Sequence, residues 1–170
     1  KGQERELGAP GTFWEYNDVR VNRLSLALMR VAKQPLPALF RERIMDPIGA
    51  SPDWEWHGYE NSWVEVEGKR MQSVSGGSHW GGGVFINSLD QARIGLLMQS
   101  GGVWDGNRLL SKDYMAQAVA PCPVYQDYGF MWWLNKSGNR LPHAGRDGFC
   151  AVGFGSNIIW VEPKLELVAV

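Results

Sequence analysis

Cysteine is scarce. Cys122 and Cys150 are the only two, and neither sits in a pair with metal-ligand spacing. Histidine is as sparse, and His57, His79 and His143 lie far apart and form no HExxH-type pattern. No metal site and no cofactor are therefore expected. No run of about 18 apolar residues occurs, so no membrane-spanning helix is expected. Charge of neither sign dominates. The formal net charge is −1, which removes the electrostatic case for nucleic acid or an anionic membrane as partner. The opening "KGQERELGAP" is polar and is not a signal peptide. A periplasmic or secreted location would need a leader upstream, so the compartment is unknown.

Two nucleophile signatures are also missing. No Ser is followed three residues later by Lys, and no Gly-x-Ser-x-Gly elbow exists, which excludes an α/β-hydrolase. What is present is ordinary in bulk: 170 residues, 44% hydrophobic and 21% charged, enough for one domain with a real core. Nine Trp and 21 Gly are unusual. Aromatic surface beside unencumbered backbone suits a cleft for an organic substrate, and a Trp-rich core with many tight turns accounts for it equally.

Periodicity then organises the chain. Residues 19–33 carry Val21, Leu24, Leu28 and Val31 at helical spacing, ending at Pro35. Residues 37–46 read as a second short helix with Pro37 at its start. "SWVEVEGKRMQSV" (62–74) alternates about "EGK" and predicts a hairpin. "SGGSHWGGG" (75–83) is too glycine-rich for regular structure. Ser88 and Gln91 form a capping box for a helix with Ala92, Leu96 and Leu97 inward, stopped by Gly101-Gly102. "VWDGNRLL" is a turn, and Ser111 caps a helix through Ala120. The last third reads as strands: "DYGFMWWLN" (127–135), "FCAVGFGSNIIWVEP" and "LELVAV". One of Trp132 and Trp133 must face the core. Helices followed by antiparallel strands predict an α+β fold. The chain also reads as a piece of a larger fold, since "LELVAV" stops within an apolar strand.

Four patterns carry the chemistry: "EYND", "HWGGGVFINSLDQARIGLLM", "YGFMWWLN" and "AVGFGSNIIWVEP". In this order and spacing the chain resembles the serine β-lactamase and penicillin-binding-protein-like family. It is most similar to the branch of class C β-lactamases, esterases and 6-aminohexanoate-oligomer hydrolases, over roughly the C-terminal half of such an enzyme. The resemblance implies a β-lactamase/transpeptidase-like fold, an antiparallel sheet flanked by helices, incomplete without its N-terminal strands and nucleophile helix. Residues 1–170 would be one partial domain, about 11–60 in the helical region and about 84–170 in the α/β region.

The family's Tyr-x-Asn motif falls on Tyr16-Asn17-Asp18, which makes Tyr16 the implied proton-handling phenol. On the residues alone, Asn17 or Asp18 also fits a helix cap. Asp18 departs from the family's Asn, because an ionised carboxylate cannot donate to a substrate carbonyl. Two segments compete for the Lys-Thr-Gly motif. Ala151-Val152-Gly153 is preferred, with the Phe154 N–H as an oxyanion donor and Gly153 allowing close approach. His143-Ala144-Gly145 is the alternative. His79 and Trp80 would edge the cleft.

The implied function is the C-terminal part of a serine hydrolase that cleaves a small-molecule amide or ester through an acyl-enzyme. The missing N-terminal segment would bring Ser and Lys, so these residues alone are expected to be inactive. The alternative is a non-catalytic binding or scaffold module on the same fold.

Overall fold

The computed structural model describes residue 6, residues 8–73 and residues 83–170. Helix α1 spans Asp18–Ala32, and Asn17 is its cap, its side chain accepting from the Arg20 N–H at 3.2 Å. Short α2 (Leu36–Phe40) runs into a π-helical turn, Arg41–Met45. Strand β1 (Glu55–Trp56) pairs with β4 (Val84–Phe85), and β2 (Trp63–Val66) with β3 (Lys69–Gln72). In the β2–β3 turn Glu67 and Gly68 both take positive φ (49° and 75°), the backbone twist that closes a two-residue hairpin. Helix α3 is Ser88–Gln99, β5 (Val103–Trp104) and β6 (Asn107–Arg108) form a hairpin about Asp105-Gly106, and α4 is Lys112–Ala118.

The last element is a four-stranded antiparallel sheet, ordered β10-β9-β8-β7. Its strands are β7 (Trp133–Leu134), β8 (Phe149–Val152), β9 (Ile158–Glu162) and β10 (Leu167–Ala169). Helix α3 lies on β9 and β10. Gly95 permits this, since a Cβ there would collide with Val168 and Ile159. Met98, Met115, Leu134, Phe149 and Val161 fill the space between sheet and helices. The α+β architecture with antiparallel strands and α3 nearby agrees with the sequence.

Several local expectations are corrected. Asn87, not Ser88, caps α3, its side chain accepting from the Asp90 N–H. The Asp90 carboxylate, not Gln91, then ties that helix start to Ser51 and Arg93. Leu97 is buried, but Leu96 is exposed. "DYGFMWWLN" is not one strand: it bends back at Phe130–Met131, where Met131 adopts φ 66°, so Tyr128 bridges Trp133 and only Trp133–Leu134 form a strand. "FCAVGFGSNIIWVEP" is two strands folded back at residues 153–157.

Helix α1 also packs the other way round. Leu26 and Met29 sit against Val64, Val66 and Met71 of the β2–β3 hairpin. Leu24, Leu28 and Val31 face outward.

Candidate active site

Tyr16 sits immediately before the Asn17 cap, at the mouth of α1. Its ring stacks on Trp133 (centroids 5.7 Å, planes 23° apart) and meets Tyr128 edge-on at 6.4 Å. Trp14 completes the cluster, 4.2 Å from Tyr125 and 5.8 Å from Trp133. Tyr16 keeps 39% of its surface exposed. It lines a cavity of about 190 Å³ with Asn17, Arg20, Tyr128 and Met131. Burial, and then repulsion from Tyr16, push the Tyr128 phenol up to about 12. Tyr128 therefore stays protonated near neutral pH. Asp18 is buried in the first turn of α1, where its charge suits the helix dipole.

The strand edge lies beyond the end of β7. Phe149 and Cys150 of β8 pair with Leu134 and Trp133 of β7. Ala151 and Val152 pair with β9 but have no partner in β7. Gly153 then donates to the Asn157 carbonyl at 2.7 Å, and Asn157 Nδ2 donates to the Phe154 carbonyl at 2.7 Å. Gly155 and Ser156 turn the chain with φ of 72° and 65°. Phe154 is therefore at a hairpin tip, 68% exposed, not in the body of a strand as the sequence suggested.

Ala151, Gly153 and Phe154 line a cavity of about 670 Å³, with His57, Tyr59 and Phe85 among its other walls. His57 Nε2 is 2.6 Å from Glu55 Oε2, and its ring meets Phe85 edge-on at 4.8 Å. The sequence reading missed His57. Its one signal was Glu-x-His in "EWHGY", a spacing that puts both side chains on one face of an extended segment.

His143 is exposed in the loop between β7 and β8. That loop is pinned rather than loose. Buried Asn135 donates to the Leu141 and Gly145 carbonyls (2.9 and 3.0 Å) and accepts from the Leu141 N–H (3.0 Å). Gly145 N–H donates to the buried Glu162 at 3.0 Å.

The structure thus groups Gly153 and Phe154 in one cavity, and Tyr16 and Asn17 in another. His143 lines neither of these cavities. His79 and Trp80 lie outside the described residues. Trp133 stacks on Tyr16 and pairs with Cys150, three residues from Gly153, or about 10 Å along a strand. Among the described residues no cluster of His, Cys, Asp and Glu could hold a metal ion, and no helix is long and apolar enough to cross a membrane.

A family model described as Beta-lactamase matches residues 2–170. A Bacillus anthracis protein named as a 6-aminohexanoate-dimer hydrolase superposes with a TM-score of 0.68 at 22% identity. The match covers 96% of this chain and 39% of that one. A Bacteroides dorei protein named as a beta-lactamase superposes with a TM-score of 0.68 at 13% identity, covering 97% of this chain and 51% of its own. The chain thus spans about half or less of these two structures, and identities this low speak for the fold alone.

Proposed function

The chain belongs to the beta-lactamase family, and from that premise we propose that it is part of a serine hydrolase that cleaves an amide or ester through an acyl-enzyme. The observation that carries this reading is the clamp on Tyr16: a partly exposed phenol held at a capped helix mouth by Trp133 and Tyr128. A phenol so held can exchange a proton in one fixed direction.

In this reading the nucleophilic Ser and its Lys come from polypeptide outside residues 1–170, since no Ser here has Lys three residues on. Ser Oγ bonds to the substrate carbonyl carbon as its proton passes to the Tyr16–Lys pair. The carbonyl oxygen gathers negative charge and meets two N–H donors, that of Phe154 and that of the Ser itself. Collapse breaks the C–N or C–O bond, and the leaving group takes the proton. Water then adds to the acyl ester by the same path in reverse and frees the Ser.

Gly153 lets substrate approach the hairpin. Asp18 serves the helix start, and His79 and Trp80 are candidates for the pocket rim, whereas His143 lines neither cavity. Among the described residues, the larger cavity is lined without Lys or Arg. A neutral ester or amide suits it better than a β-lactam, whose carboxylate calls for a cation.

The test is a serine-directed phosphonate applied to the full-length protein and to residues 1–170 alone. Stoichiometric labelling of the full-length protein only is the expected result, with acylation by a chromogenic ester slowed roughly 10²–10⁴-fold in Tyr16→Phe. An unlabelled full-length protein would instead mean a binding or scaffold role.

A further inference from the structure

The Tyr16 clamp has a third layer. Arg140 places its guanidinium carbon 4.3 Å from the centre of the Trp133 ring, whose other aromatic partners include Tyr16 at 5.7 Å. The charge is therefore no more than about 10 Å from the phenol ring. We infer that Arg140, seated on Trp133, is a positioning residue that favours the phenolate of Tyr16 and so readies it to accept a proton. This rests on the reading of Tyr16 as the proton-handling group.

Three observations support it. First, the backbone beside the exposed Arg140 is held in place. The next residue, Leu141, is bonded through both its N–H and its carbonyl to the fully buried Asn135 amide, so the arm that carries the guanidinium starts from a fixed point. Second, its charge reaches this patch. Cys150 lies across from Trp133 in the sheet. Burial raises its thiol, and Arg140 opposes that rise. Third, both groups rest against one indole, which displaces water from part of their surroundings and weakens screening.

Among the described residues, Glu15, Arg20 and Tyr128 line the cavity of Tyr16 with it, and Asp18 lies close by in sequence. Tyr128 is held neutral by burial, and Glu15 and Asp18 work against a phenolate. Arg140 adds a cation from another element. A unit charge within about 10 Å, at an effective dielectric of about 20, moves a titration midpoint by roughly one pKa unit, and by less where salt screens it.

The experiment is phenolate absorbance against pH in the full-length protein at low ionic strength, with the Tyr16→Phe trace subtracted to isolate Tyr16. Arg140→Gln should raise the Tyr16 midpoint by about 0.5–1 unit, and 1 M salt should shrink that rise. Arg140→Lys, which keeps the charge, should restore most of the lowered midpoint. Equal midpoints in wild type and Arg140→Gln would overturn the inference. Equal rises in Arg140→Gln and Arg140→Lys would also overturn it, since packing rather than charge would then be the cause. The titration reads Arg140 alone, whereas loss of Ser labelling would count against the hydrolase reading.

Discussion

Removing the amide of Asn135 tests how the loop that carries Arg140 and His143 is held. Asn135 is fully buried. Its Nδ2 donates to the carbonyls of Leu141 and Gly145, and its Oδ1 accepts from the Leu141 N–H. Asn135→Ala deletes these three bonds and leaves backbone groups without partners. Each bond contributes about 1 kcal/mol net, and an orphaned buried group costs about 1–3 kcal/mol. Water entering the vacated space recovers part of that, so the expected loss is about 3 kcal/mol. That is a large share of the roughly 5–15 kcal/mol that a domain holds in total. Urea unfolding of the full-length protein is the assay. The midpoint should fall with an unchanged slope, and the melting temperature should drop by about 6–12 °C for a protein of about this size, and by less in a longer one. A loss below about 1 kcal/mol would refute the reasoning and would mean that the loop is held by the Lys136–Asp147–Lys164 ion pairs instead.

Two further predictions concern the sheet and the aromatic cluster. Gly95→Ala should destabilise by about 1–3 kcal/mol, even though Ala outranks Gly in a helix by about 1 kcal/mol, because its Cβ enters Val168 and Ile159; a raised urea midpoint would contradict the packing of α3. The Tyr128 phenol titrates at about 12 in the fold, against 10.0 for the free group. The unfolded chain thus loses this proton first, and stability should be full below pH 10 and fall as pH rises toward 12, by about 1–2 kcal/mol after allowing for partial exposure. Tyr128→Phe should lack that fall when unfolding midpoints at pH 9 and pH 11.5 are compared.

The features legible in the sequence were those fixed by local backbone chemistry. Glu67-Gly68 and Asp105-Gly106 announced their hairpins because only certain residues accept positive φ. Ser111 announced its helix because a hydroxyl there can accept from Tyr114 N–H. The apolar and aromatic segments of the last third, following the helices, announced antiparallel strands. What escaped was decided by tertiary packing.

Helix α1 has two apolar stripes, and periodicity alone cannot say that Leu26 and Met29, not Leu24 and Leu28, meet the β2–β3 hairpin. The reversal at Gly153–Asn157 was hidden because Ser156, not a glycine, supplies one of its positive φ values. For the candidate site, the sequence offered Tyr16 through its motif. The Trp133 platform, the Arg140 layer and the His57–Glu55 pair were not, because each depends on residues from distant parts of the chain or on side-chain geometry.

The order of the sheet has a consequence for how the protein assembles. Strand β9 pairs with β8 and β10, its neighbours in the chain, so each of these two pairings closes a loop of a few residues at small entropic cost. Helix α3 reaches the same strands over a long interval: Gln99 donates to the Pro163 carbonyl across 64 positions. Short closures form faster than long ones. The C-terminal meander is thus the natural first unit of folding, and α3 docks onto it afterwards. The Gly153–Phe154 tip belongs to that early unit, while Tyr16 is brought to Trp133 from more than a hundred residues away, so the two halves of the proposed site mature at different times.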